Sequence, residues 1–253
     1  MTNSEPGQGS AEALPDLERK REPAINLPTA LTLALALLTL IHLMRTFILS
    51  QSADEWLLLH FAFIPARYYA EVMAADPAWI WTPVTYSLLH GGWEHLIFNA
   101  FWMVAFGAPV VRRIGSLRFV VFWILSAVAA VALHMLFHWG GMIVVLGASG
   151  VVSGLMGAAA RFVFSPSGRI SRQFAHLNRR LTVREAFANR SVLVFSGIWF
   201  LTNFAIGFGQ TFAAGGGATI AWEAHIGGFL FGFFCFPLFD RRPAEVMDER
   251  PAG

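Results

Sequence analysis

Residues 31–44 read LTLALALLTLIHLM, a run broken only by two threonines and one histidine and free of charge. With its flanks the apolar stretch covers about 26–49. A helix needs about 20 mostly apolar residues to cross the hydrocarbon core of a bilayer. Working outward from this run, five further stretches meet the same requirement, at about 86–110, 117–138, 146–164, 191–211 and 222–239. The second and fourth are the least uniform, since each carries polar residues and glycines, and polar groups inside a span are costly enough to need a reason. The whole chain agrees with this reading. Of its 253 residues 56% are hydrophobic and 13% charged, with a mean hydropathy of +0.55, whereas soluble domains carry roughly 25% charged residues. The expected fold class is an all-α membrane protein, a bundle of six transmembrane helices.

Charge placement orients the bundle. Of the 18 Lys and Arg residues, all but Arg45 and Arg67 fall in four groups. These are the N-terminal tail (Arg19, Lys20, Arg21), the second-to-third connection (Arg112, Arg113, Arg118), the fourth-to-fifth connection with its borders (Arg161, Arg169, Arg172, Arg179, Arg180, Arg184, Arg190) and the C-terminal tail (Arg241, Arg242, Arg250). The positive-inside rule puts all four groups, and so both termini, in the cytoplasm, as an even number of spans requires. The basic pI near 9.1 therefore reflects membrane orientation, and no nucleic-acid partner is expected. Residues 1–24 are polar and mixed in charge and read as a disordered cytoplasmic tail rather than a secretory signal. Residues 25–240 form the membrane domain and 241–253 a second cytoplasmic tail. The single cysteine, Cys235, excludes an internal disulfide.

The connection after the first span, about 50–82, is rich in aromatic residues (Trp56, Phe61, Tyr68, Tyr69, Trp79, Trp81) and poor in charge. Two readings fit it: an interfacial segment lying partly in the outer leaflet, or an ordinary external loop with aromatic belt residues.

In this orientation each even-numbered span starts at the outer face, so the first residues of three helices share one depth. Span two begins with His90, Glu94, His95 and Asn99. Span four begins with Gly147, Ala148, Ser149 and Gly150, and span six with Glu223 and His225. Ser149, Ser153 and Gly157 repeat at helical spacing on one stripe, and His225, Gly228 and Gly232 on another. Small residues on both stripes allow the two backbones to approach closely. Packing them together brings Ser149 and His225 to the top of the seam.

Those residue types suit acyl transfer. A serine hydroxyl needs an adjacent base to become a nucleophile, and neutral histidine is the usual base near pH 7. The tetrahedral intermediate needs donors aimed at its oxyanion, which the Asn99 amide, a His95 ring N–H and the Ser149 backbone N–H can supply. Glu223 is two residues from His225 and faces elsewhere on a helix. The residues therefore point to a Ser149–His225 dyad rather than a triad. Alone, the Gly-Ala-Ser-Gly string is no more than a packing motif and His95 with Asn99 no more than interhelical glue; their conjunction at one depth carries the argument.

Other polar groups carry less. His134 and His138 lie four residues apart, a spacing open to metal binding, but no third ligand is near in sequence. No His-Glu-x-x-His or Gly-x-Ser-x-Gly string is present, which argues against zinc-protease and hydrolase-elbow chemistry. No metal and no cofactor are expected.

Three segments together resemble the rhomboid family of intramembrane serine proteases. TYSLLHGGWEHLIFN (85–99) contains the His-x4-His-x3-Asn pattern of the second helix, GASGVVSGLMG (147–157) resembles the nucleophile helix and AHIGGFLFG (224–232) the histidine helix. GAPVVRRIGS (107–116) is similar to the turn after the second helix. The resemblance covers about 81–240, in order. It implies a six-helix rhomboid bundle with Ser149 and His225 as catalytic dyad, His95 and Asn99 at the oxyanion site, and His90, Gly147, Gly150 and Ser153 in supporting positions. It also implies a lipid-embedded enzyme of the cell membrane, of bacterial inner-membrane type, whose substrates are single-pass membrane proteins cut near the outer boundary. Two positions depart from the family pattern. Ser153 stands where many relatives carry a tyrosine against the catalytic histidine, and Val111 where many carry a glutamate.

The alternatives are a catalytically inactive relative that binds membrane clients, which would be expected to lack the serine or histidine, and an ion-coupled carrier, which would want ionisable groups on both sides of the midplane. Access to a buried dyad requires moving parts. The glycine-rich connection 213–221 (AAGGGATIA) reads as a mobile cap over His225, the alternative being a plain flexible turn. The aromatic fifth span, with Trp199, Phe200, Phe204 and Phe208, reads as a side gate.

Overall fold

A computed structural model describes residues 26–166, 174–213 and 221–240. Both tails, Arg169 and Arg172, and residues 214–220 of the expected cap lie outside them. Six principal helices follow in order: α1 (Thr29–Phe47), α2 (Trp93–Ile114), α3 (Ser116–Phe137), α4 (Ser149–Ala160), α5 (Arg190–Ala213) and α6 (Trp222–Cys235). Among the described residues there is no strand, only an isolated antiparallel bridge between Phe63 and Val145.

Four of these helices are long and apolar enough to cross a membrane: α1, α2, α3 and the Arg190–Gly207 part of α5. Their outer faces expose large apolar residues such as Leu40, Phe47, Ile97, Leu117 and Leu201, a pattern that belongs in lipid rather than water. The other two expected spans are shorter helices, α4 with 12 residues and α6 with 14. The second span starts later than its apolar run suggests. Residues 82–92 form a short helical turn at Thr82–Thr85, a 3-10 turn at Tyr86–Leu88 and a glycine-containing loop, and α2 begins at Trp93. Within α2 a π-turn occupies Met103–Gly107. Pro109 explains it, since a proline has no N–H to return to the preceding turn and its ring crowds the carbonyl there.

α4 is the centre of the molecule. Every residue from Gly150 to Ala160 is buried, which its composition allows, because glycine, alanine and serine leave room for neighbouring backbones. α4 packs most extensively on α6. A Cβ on Gly228 would land on the Gly150 carbonyl, one on Gly232 on the Gly154 carbonyl, and one on Gly157 on the Phe229 carbonyl. The two small stripes read from the sequence thus face one another, and backbone meets backbone along the seam. The absence of side chains along this seam is what holds the first turns of α4 and α6 at a common level.

The connection between α1 and α2 is folded onto the helices. Its main helix, Gln51–Phe61, is capped by Ser50, whose Oγ accepts from the Ala53 N–H. Arg45, at the end of α1, donates to the Asp54 carboxylate at 2.6 and 3.1 Å and to the His90 carbonyl at 2.7 Å. Arg67, 7% exposed, donates to Asp76 at 2.9 Å and to the Ala62 carbonyl at 3.2 Å. These two arginines are the pair that charge counting left unassigned. Each spends its guanidinium on carbonyls and a carboxylate of the same loop, as a buried planar donor array must. The Asp76 carboxyl is held below its ordinary range, first by the Ala78 N–H it accepts and then by Arg67.

Candidate active site

Ser149 is the first residue of α4 and lies two residues after Gly147, which has a φ of +122°. That backbone favours glycine, and the space beside it is closed as well, because a Cβ on Gly147 would come within 2.6 Å of His95 Cε1 and Nε2. The turn into α4 is held from both sides. The Gly147 N–H donates to the Tyr86 carbonyl at 3.0 Å, and His90 Nε2 lies 3.5 Å from the Ala148 N–H. The wholly buried Tyr86 in turn donates to the Ala127 carbonyl of α3 at 3.0 Å.

His225 lies in the first turn of α6. Its Nε2 is 2.8 Å from Ser149 Oγ, a normal length for a hydroxyl donating to imidazole. The seam expected to bring these two residues together does so. On the other side of the ring, His225 Nδ1 is 2.6 Å from Asn203 Oδ1 on α5. The Asn203 amide N–H donates to the Trp199 carbonyl one turn back at 3.0 Å, which turns its oxygen toward the histidine. Because a carbonyl oxygen only accepts, His225 Nδ1 carries the proton, and the Nε2 lone pair faces the serine hydroxyl.

Asn203 was missed in the sequence. The available signal was an amide side chain inside an otherwise apolar span, the kind of residue that needs an explanation in a membrane. Ser153 occupies the position where many relatives carry a tyrosine against the catalytic histidine. Its hydroxyl donates to the Ser149 carbonyl at 2.8 Å. In this chain the histidine is supported from α5.

The remaining sequence candidates gather nearby. His95 and Asn99, one turn apart on α2, line the same cavity as Ser149, Asn203 and His225. The Gly91 N–H meets His95 Nδ1 at 3.4 Å, and Asn99 donates one amide proton to the His95 carbonyl at 3.0 Å. His90 packs edge-on against His95 with ring centroids 5.1 Å apart and supports the loop rather than the cavity. Gly150 sits where a Cβ would approach Ala130 Cβ at 2.6 Å and the Tyr86 hydroxyl at 3.0 Å. The cavity has a volume of about 870 Å³ and a mostly apolar lining. Phe98 and Trp102 of α2 and Phe195 and Ile198 of α5 are among its lining residues. Of the expected gate aromatics, the Phe208 side chain lies outside the described residues, and Phe204 packs edge-on against Trp222 at a centroid distance of 5.6 Å. Trp199 and Phe200 both pack on Phe229 of α6, at centroid distances of 4.5 and 5.2 Å, and Trp199 also lines the cavity.

A helical membrane protein with a serine–imidazole pair beneath the top of a small-residue seam is the class that fold and site define. Residues 77–241 match the family model of the rhomboid domain. Two curated proteins, each called Rhomboid protease GlpG, from Salmonella paratyphi A (strain ATCC 9150 / SARB42) and Salmonella newport (strain SL254), are both 27% identical to it over 155 residues. The alignments cover 60% of this chain and 46% of theirs, so the chain spans about half the length of the curated relatives it matches. The chain belongs to the rhomboid family.

Proposed function

We propose that this protein is an intramembrane serine endopeptidase that cuts the transmembrane segments of single-pass membrane proteins near the outer face. The observation that carries this reading is the 2.8 Å contact between Ser149 Oγ and His225 Nε2 on the wall of a large apolar cavity. Ser149 gives its proton to His225 as Oγ attacks the scissile carbonyl carbon. The resulting oxyanion is met by the Asn99 amide, a His95 ring N–H and the first backbone N–H groups of α4, which have no partner within the helix. His225 then returns the proton to the leaving amine, and an acyl-enzyme remains on Ser149. Water, deprotonated by His225, attacks that ester and releases the new carboxylate. Asn203 accepts from His225 Nδ1–H throughout and keeps the basic nitrogen on the serine side. It is neutral, so it orients the ring without supplying the countercharge of an aspartate.

Six membrane crossings, with residues 25–240 as the membrane domain and both tails in the cytoplasm, go with this reading. Short α4 and α6 are compatible with it, because helix ends enclosed by protein or facing a water-filled cavity need not span the full hydrocarbon thickness. A membrane-embedded substrate would enter between α2 and α5, where the cavity lies. The localisation that follows is a cell membrane, of bacterial inner-membrane type. The decisive experiment is incubation of the purified chain, in detergent and in liposomes, with a panel of single-pass substrates. Cleavage by the wild type and none by Ser149→Ala or His225→Ala is expected, along with fluorophosphonate labelling of the wild type alone. Equal labelling of Ser149→Ala would overturn the assignment.

A further inference from the structure

His134 in the last turn of α3 and His138, just past its end, acquire in the structure the third group that their sequence neighbourhood lacks. Glu223 comes from the first turn of α6, and its carboxylate lies 3.3 Å from His134 Nδ1 and 3.1 Å from His138 Nε2. One ligand atom from each of the three residues fits within 4.8 Å. We propose that His134, His138 and Glu223 form a transition-metal site, Zn2+ in the first instance, that joins α3 to α6. It is separate from the Ser149–His225 site and does not rest on the protease reading.

Two observations support it. The first is spacing: tetrahedral ligands at zinc bond lengths of about 2.0–2.1 Å stand about 3.3 Å apart, and the two imidazole–carboxylate separations, 3.3 Å to one Glu223 oxygen and 3.1 Å to the other, are close to that. The second is charge. The Glu223 side chain is 6% exposed, and among the described residues its ion-pair partners are the two histidines alone. A buried carboxylate without a guanidinium or ammonium requires a positive partner. Two imidazoliums with ring centroids 4.4 Å apart would repel each other, whereas one dication satisfies the whole set.

The donor set is two imidazoles and one carboxylate, which suits Zn2+ and its Irving–Williams neighbours rather than Ca2+ or Mg2+. His138 is about one-third exposed and marks the side from which the ion enters and where water completes the coordination. The ion would pin α3 to the turn that precedes His225 by two residues.

The test uses the untagged, full-length Ser149→Ala chain in detergent, so that self-cleavage and purification-tag histidines play no part. After chelator treatment, Zn2+ alone is titrated by calorimetry, and Co2+ is added separately to read its ligand-field spectrum. One equivalent of Zn2+ per chain, a rise in Tm with Zn2+ and a tetrahedral Co2+ spectrum are expected. Affinity should fall by at least about 100-fold in Glu223→Gln and in His138→Ala, as removal of a ligand exceeds the 10–100-fold typical of outer-sphere losses. His138→Ala changes a partly exposed residue, so it remains informative if Glu223→Gln fails to fold. Zinc binding of unchanged stoichiometry and affinity in His138→Ala, or no binding by the parent chain, overturns the proposal.

Discussion

His225 Nδ1 and Asn203 Oδ1 lie 2.6 Å apart, joining the first turn of α6 to the middle of α5. The contact sets the tautomer of the proposed base and ties its ring to a helix that also walls the cavity. Movement of α5 therefore acts on the orientation of His225 as well as on access.

Asn203→Ala is expected to lower kcat by on the order of 10²-fold, the size of a loss in positioning at the reacting centre, while KM for a membrane substrate changes little. Asn203→Asp restores an acceptor and adds a charge that stabilises the imidazolium, so its pH–rate profile should move to higher pH. A purely structural role would lower the amount of folded enzyme and leave the profile of what remains unmoved. Rates measured against pH for the three proteins, with active sites counted by fluorophosphonate, separate these outcomes.

Asn99→Ala should reduce turnover more than binding, because its spare amide proton matters once the oxyanion forms. Loss of one such donor costs roughly 3–4 kcal/mol in soluble proteases. A smaller loss is expected here, since His95 and the α4 backbone share the charge. Single-turnover rates at saturating substrate check this. An unchanged rate in a folded variant would remove Asn99 from the oxyanion site.

The glycine seam makes a prediction about stability. Gly232→Ala puts a methyl group onto the Gly154 carbonyl, and neither backbone can yield without moving α4 against α6. Overpacking of this kind costs about 1–3 kcal/mol, and it should displace Ser149 from His225. Gly197→Ala on α5 is the control, because nothing lies within 4 Å of its added Cβ, and replacing an exposed helical glycine by alanine gains about 1 kcal/mol at most. Thermal unfolding in detergent should fall for the first and hold or rise for the second. Equal behaviour would mean that the seam is looser than the backbone contacts imply.

These residues also mark what the sequence could and could not reveal. The meeting of Ser149 with His225 was legible, because helical periodicity puts each residue above a stripe of small side chains, and small stripes on helices of matching direction have few other ways to pack. Asn203 was not legible as a partner: nothing in the register of α5 says how far that helix rotates toward α6. Glu223 illustrates the same limit, since its i+2 spacing from His225 correctly excluded it from the dyad but gave no hint of His134 and His138 on α3. The late start of α2 escaped because Tyr86, Leu88 and Leu89 are as apolar as a span, yet Tyr86 and Leu89 are buried against protein rather than facing lipid. Hydropathy does not distinguish those two environments.

The cavity position makes the last prediction. Phe98 and Trp102 on α2 and Phe195 and Ile198 on α5 line the same cavity as Ser149. Phe106 and Phe195 touch with ring centroids 5.5 Å apart and close the two helices together further down α2. A transmembrane substrate that enters from the side must part α2 and α5, whereas a small soluble peptide that enters from the aqueous face need not. Cysteines introduced at Phe98 and Ile198 in a Cys235→Ala background, joined by a short bifunctional crosslinker, should therefore block cleavage of a membrane-embedded substrate. Fluorophosphonate labelling and cleavage of a short soluble peptide should continue, and cutting the crosslink should restore the lost activity. The side-entry route is wrong if the crosslinked enzyme cuts its transmembrane substrate at the rate of the uncrosslinked protein. If labelling is lost along with cleavage, the crosslink has distorted the Ser149–His225 pair, and substitutions that replace Phe195 and Phe106 with smaller side chains, which should speed cleavage of the membrane substrate alone, then decide the question.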